Sequence, residues 1–141
     1  MRTGHVGLNV TDLDRSVGFY TKVFGFQVTG SGDGFTFLGF DGVPHVTLWR
    51  QSGEGFAKDR SGLHHLAFQV DSIDAVRQAE GVLKALGAEF TYDGVVPHGE
   101  GRASGGIFFT DPDGIRLEIY APSGAEEATA PNPGAPTCGF F

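Results

Sequence analysis

The chain has 141 residues, 40% of them hydrophobic and only 19% charged, with a formal net charge of -7; that length fills one compact domain or two small fused repeats. Scattered Lys and Arg on an acidic chain exclude a nucleic-acid surface or a purely electrostatic membrane attachment. No apolar run approaches the roughly 20 residues that span a bilayer, the first residues lack a signal-peptide core, and the single cysteine, Cys138, has no internal partner, so a cytoplasmic protein is predicted.

Residues 4–10 alternate, with Val6, Leu8 and Val10 on one face and His5, Gly7 and Asn9 on the other, the period of a strand. Asp12 or Asp14 can cap a helix carrying Val17, Tyr20, Val23 and Phe24, which Gly25 ends. Short strands follow near 26–30, 34–40 and 45–50, the last with Val46 and Leu48 opposing Thr47 and Trp49. Residues 64–70 alternate again. The next helix, near 74–86, turns Ile73, Val76, Ala79, Val82, Leu83 and Leu86 toward a core, and Gly87 follows it. Strands near 88–92, 105–110 and 115–120 complete the run. Asp111-Pro112-Asp113-Gly114 reads as the hairpin turn between the last two. On the final strand Ile115, Leu117 and Ile119 oppose Arg116, Glu118 and Tyr120. Beyond Ala121 the Ala, Pro, Gly and Glu composition predicts an extended or disordered tail with an apolar end at Phe140 and Phe141.

The two halves repeat. His5-Val6-Gly7-Leu8-Asn9-Val10 matches His65-Leu66-Ala67-Phe68-Gln69-Val70, and Gly25-Phe26-Gln27-Val28 matches Gly87-Ala88-Glu89-Phe90. The reading is an α+β fold with βαβββ units over 1–60 and 61–121 and a tail over 122–141. The two sheets would form a curved, barrel-like mixed cleft with the helices packed outside. The polar faces would bring His5, Asn9, Thr47, Trp49, His65, Gln69, Glu118 and Tyr120 to that cleft. His5, His65 and Glu118 stand at corresponding strand positions of the repeat. Two imidazoles and one carboxylate can hold a divalent metal and leave positions open for substrate. His98, in the loop Pro97-His98-Gly99-Glu100-Gly101-Arg102, is the candidate proton-transfer residue. Asn9, Thr47, Trp49, Gln69, Phe108 and Tyr120 are the candidate substrate contacts, the aromatic ones by stacking. His64 and His45 point elsewhere by the same alternation, and Asp111 and Asp113 are turn residues.

The double unit, the opening stretch from His5 to Tyr20 and the closing Asp-Pro-Asp-Gly-Ile-Arg-Leu-Glu from Asp111 to Glu118 resemble the vicinal oxygen chelate superfamily of glyoxalases, extradiol dioxygenases and bleomycin-resistance proteins. The resemblance covers residues 3–121. It implies metal-ligand positions at His5, Thr47, His65 and Glu118, of which Thr47 is a poor ligand, and a small oxygen-chelating substrate activated by Fe(II), Mn(II), Zn(II) or Ni(II). It also implies a homodimer, across which the apolar end Phe140-Phe141 of this tail is the candidate to pack. Thr47 replaces the second glutamate of glyoxalase I. Gly7 replaces the threonine of fosfomycin enzymes, and Phe108 the tyrosine of large extradiol dioxygenases. Ring-cleaving dioxygenation suits the ligand set, and isomerase, lyase or thiol-transfer chemistry stays open beside it. The alternative is a non-catalytic, bleomycin-resistance-like protein binding an antibiotic between aromatic side chains.

Overall fold

The structure, a computed structural model, describes residues 3–140 apart from the side chain of Phe140. The expected packing of Phe140 and Phe141 across a dimer lies outside the described residues. By contacts the chain forms two units, Met1–Ala57 with Pro112–Gly114, and Lys58–Asp111 with Ile115–Phe141.

In the first unit, β1 (Val6–Asn9), α1 (Leu13–Phe24), β2 (Gln27–Gly32), β3 (Phe35–Phe40) and β4 (Val43–Trp49) follow in order. The strands make one sheet, β1-β4-β3-β2, in which only the β1–β4 pair is parallel. Asp12, in extended conformation, caps α1 by accepting a hydrogen bond from the Arg15 amide at 3.0 Å, which satisfies one of the orphan donors of the first turn. Gly25 at φ 70 closes the helix in the left-handed conformation and donates to the Thr21 carbonyl. Phe19 and Tyr20 from α1 are buried with Leu8, Val10, Leu38, Val46 and Leu48, each large side chain stabilising the unit by roughly 1.5–3 kcal/mol. The alternation on β1 is observed, since Leu8 and Val10 are buried where His5, Gly7 and Asn9 are exposed, whereas on β4 Val46, Thr47 and Leu48 are all buried.

The second unit repeats the plan with β5 (Leu66–Gln69), α2 (Ile73–Ala85), β6 (Val96–Pro97), β7 (Gly105–Thr110) and β8 (Arg116–Ala121), ordered β5-β8-β7-β6. The fold is therefore α+β with two βαβββ modules. Ser72 caps α2 through the Ala75 amide. Val76 and Leu83 are buried against the sheet, while Val82 and Leu86, expected to face the core, are 38% and 40% exposed. The 3.6-residue period turns them past the edge of the buried stripe.

Two further expectations are corrected. The strand near 88–92 contracts to a single bridge between Phe90 and Phe109. Bends over 91–94, with Gly94 at φ 74, carry the chain away, and Val96–Pro97 becomes the fourth strand instead. The tail is also ordered. Its composition lacks large apolar side chains, yet Ala125, Ala130 and Thr137 are buried, because small residues fit where backbone packs closely on backbone.

Candidate functional site

Glu118 is the centre of the second unit's polar cluster. It sits on β8, opposite Phe108 on β7 and level with Ala67 on β5, and its side chain is only 3% exposed. A carboxylate so far from water requires compensating partners. Two imidazoles supply them from opposite sides. His98 Nε2 lies 2.5 Å from Oε1, and His65 Nε2 lies 3.5 Å from Oε2.

Each imidazole is backed in turn. His98 Nδ1 stands 2.9 Å from the Ser104 hydroxyl. An ionised carboxylate only accepts, so the His98 proton resides on Nε2, and Nδ1 accepts from Ser104. His65 Nδ1 stands 2.8 Å from His64 Nδ1, a contact in which one ring must donate and the other accept. His64 thus turns back onto its neighbour, where alternation alone sends it away. The result is one polar line: His64, His65, Glu118, His98, Ser104. Burial pushes the His65 pKa below the usual imidazole value; Glu118 opposes this, and His64, Arg116 and His98 reinforce it. Neutral His65 carries one ring proton, so only one of its two contacts, to His64 or to Glu118, is a donated bond.

The loop that delivers His98 is closed locally. The His98 amide donates to the Ser104 carbonyl at 2.9 Å, and Arg102 closes a turn on Gly99 at 3.1 Å. Gly101, at φ 68, takes the left-handed place that turn needs. Gly106 on β7 lets β8 pass closely: a Cβ there would stand 2.1 Å from the Ile119 carbonyl oxygen. Tyr120, on the face of Glu118, lies 5.1 Å ring to ring from His98 and donates its hydroxyl to Gln69 Oε1 at 2.9 Å. Phe108, anticipated as a substrate contact, is fully buried, edge-on to His98 and Tyr92. In this structure it supports the imidazole from below.

The other named residues lie in the first unit. His5 precedes β1 and is exposed. Thr47 is 3% exposed; its hydroxyl accepts from Trp49 Nε1 at 3.2 Å and donates to the Val6 carbonyl at 3.5 Å. Trp49 packs against Phe35 and Phe37. With Gly7, Leu8, Asn9 and Gln51 it lines a cavity of about 340 Å³. His45 is exposed and bonded to the Val43 carbonyl, away from this cavity's lining. Asp111 does turn work through the Ile115 amide at 2.8 Å. Asp113 does not: in the first unit it accepts from the Thr11 amide at 2.9 Å, the Thr11 hydroxyl at 2.5 Å and Arg15 Nη2 at 2.7 Å.

Among the described residues no group of three or more His, Cys, Asp or Glu side chains forms a ready-made metal cage. The test of fit is therefore the donor chemistry. A buried carboxylate and a neutral imidazole with its second nitrogen bonded are the oxygen and nitrogen donors that a divalent transition metal takes, with the outer contact already made. These residues fit such an ion.

The chain is thus built of two βαβββ modules, the second of which carries a strand glutamate between two imidazoles. Residues 2–119 match the model of the Glyoxalase/Bleomycin resistance protein/Dioxygenase superfamily, and the chain belongs to that superfamily. It is 28% identical over 121 residues to the catechol-2,3-dioxygenase of Bacillus subtilis, covering 84% of this chain but only 40% of that enzyme. Among solved structures, a glyoxylase/bleomycin resistance protein/dioxygenase domain from Frankia sp. EAN1pec superposes with a TM-score of 0.71 at 31% identity, covering 86% of this chain and 97% of that one. The fosfomycin resistance protein of Listeria monocytogenes, crystallised with Mn(II) and sulfate, has a TM-score of 0.66 at 25% identity over 85% of this chain and 89% of its own. No helix among the described residues is long and apolar enough to cross a membrane.

Proposed function

We propose that this chain is a metal-dependent enzyme acting on a small substrate with neighbouring oxygens. His5, His65 and Glu118 are its ligands and His98 its proton-transfer residue, and ring-cleaving dioxygenation is the reaction favoured by the likeness to catechol-2,3-dioxygenase. One observation carries the reading: a 3%-exposed carboxylate held between two imidazoles, an arrangement that costs stability unless positive charge resides there. His5 joins the set through its equivalence to His65 in the repeat.

When bound, the ion supplies Lewis acidity toward the substrate oxygens. The chain's own residues do the rest. Glu118 presents two oxygens fixed by β8. His65 offers Nε2 as a neutral donor. His98 holds a proton on Nε2 while Nδ1 faces the Ser104 hydroxyl; when that hydroxyl turns to accept, Nδ1 takes up a proton from solvent, and the doubly protonated ring gives its Nε2 proton to a substrate oxygen and returns to the neutral form. The bonded pair Tyr120 and Gln69, with Asn9, Thr47 and Trp49, orients the substrate.

The test is the metal content of untagged protein purified without chelators, beside His65→Ala and Glu118→Gln. The reading requires about one divalent ion per chain in the wild type and loss in both variants. If none is held, even after reconstitution, the antibiotic-binding alternative takes its place.

A further inference from the structure

The C-terminal segment is fastened to the elements that carry His98. The Ala125 amide donates to the Ala103 carbonyl at 3.0 Å, and its methyl lies over Gly105, 2.6 Å from where a Cβ would stand. Twelve residues on, Thr137 is fully buried in a 3-10 turn, Thr137–Phe140. It spends its polar groups almost entirely on one place. Its hydroxyl donates to the Pro97 carbonyl at 2.5 Å and its amide to the His98 carbonyl at 3.0 Å. Its own carbonyl accepts from the Tyr92 hydroxyl at 3.2 Å. Pro97 and His98 need such help. Strand β6 has only two residues, and the peptide units on its outer side would otherwise face the tail unpaired.

We propose that Thr137 is a positioning residue for His98: by gripping the carbonyls of Pro97 and His98 it holds the imidazole against Glu118. The value of this grip for catalysis rests on the role given to His98 above, but the grip itself does not. The ring hangs from a two-residue strand and a seven-residue loop, and a displacement of about 1 Å at its base is enough to lose a directed proton transfer. The Ser104 and Glu118 contacts fix the ring only relative to a backbone that is itself held. Thr137 holds that backbone from outside, and the tail also walls a cavity of about 510 Å³ with His98, Arg102 and Ser104 opposite Gly134–Pro136.

Metal-free protein is the right sample, because the readout is then independent of the metal reading. Long-range proton–nitrogen NMR of the His98 ring in wild type should show one tautomer, protonated at Nε2. Thr137→Val keeps shape but loses the hydroxyl donor; its His98 ring should show mixed tautomers, and the His98 amide should exchange about tenfold faster, as expected for one lost hydrogen bond. Thr137→Ser should restore both signals. Tyr92→Phe cuts the bond to the Thr137 carbonyl and the one the same hydroxyl accepts from Asn132; neither bond reaches Pro97 or His98, so the variant should leave the ring as in wild type. A wild-type His98 signature in Thr137→Val overturns the proposal, and so does an equal disturbance in Tyr92→Phe. Loss of the tautomer in Thr137→Val, rescued by Ser, supports it even in a protein that binds no metal; that outcome would refute the functional reading alone.

Discussion

Replacing Asp113 with Ala removes the acceptor of three hydrogen bonds in the first unit, from the Thr11 amide, the Thr11 hydroxyl and Arg15. Bonds to an ionised group each contribute roughly 1.5–3 kcal/mol where water is excluded. Asp113 is 4% exposed, but Arg15 is 48% exposed, so its share falls to about 1 kcal/mol at most. Thr11 is half-buried and recovers some hydration when released. The expected cost of Asp113→Ala is about 3 kcal/mol, and Asp113→Asn, which keeps one acceptor, about 2 kcal/mol. At this chain length that lowers Tm by roughly 6–10 °C. Arg15→Met should cost about 1 kcal/mol, and most of that should vanish once Asp113 is already Ala. Urea unfolding of the four proteins, followed by circular dichroism and fluorescence, measures the cycle. A loss below about 0.5 kcal/mol for Asp113→Ala, or full additivity with Arg15→Met, would refute this account of the network.

Other expectations concern the second unit. Because burial depresses the folded His65 pKa below the unfolded value, the unfolded chain binds more protons in the window between the two. Metal-free protein should therefore lose Tm as pH falls below about 6.5, and His65→Ala should flatten that slope; equal slopes would contradict the direction given. Adding the cognate ion at about 100 times its Kd should raise wild-type stability by about 2.7 kcal/mol and leave Glu118→Gln unmoved, as thermal scans would reveal. Gly106→Ala drives a methyl into the Ile119 carbonyl and the backbone of Tyr120, so a cost of about 3 kcal/mol or more is expected from forced strand separation. Wild-type-like unfolding of that variant would show that β8 yields.

Strand alternation and the repeat made Glu118 and His65 legible as residues on one sheet, and the ends of the first helix were written in Asp12 and Gly25, whereas the Ser72 cap of α2 was not read. Local pattern stops there. That His98 lies against Glu118 depends on a loop folding back across β7, 20 residues away in sequence, with no periodicity to announce it. His64 was assigned by its backbone direction, but a χ rotation brings its ring onto His65. Asp111 and Asp113 occupy one turn motif, yet only Asp111 bonds within it. The tail misled because low hydrophobicity was read as absence of order; its anchors are hydrogen bonds and small buried side chains, which composition does not weigh.

The Thr11–Asp113 contact spans 102 positions of sequence, and this has a consequence for the growing chain. At roughly 5–20 residues per second, β1 and α1 emerge about 5–20 s before their carboxylate partner is synthesised. Through that interval Arg15 and the Thr11 amide have no Asp113, so the first unit cannot reach its final stability while the second is still being made. Completion of the first unit is timed by its own last-made piece, Pro112–Gly114. A ribosome stalled before residue 113 should hold a first unit that is markedly easier to digest with protease than one stalled after the hairpin has cleared the exit tunnel.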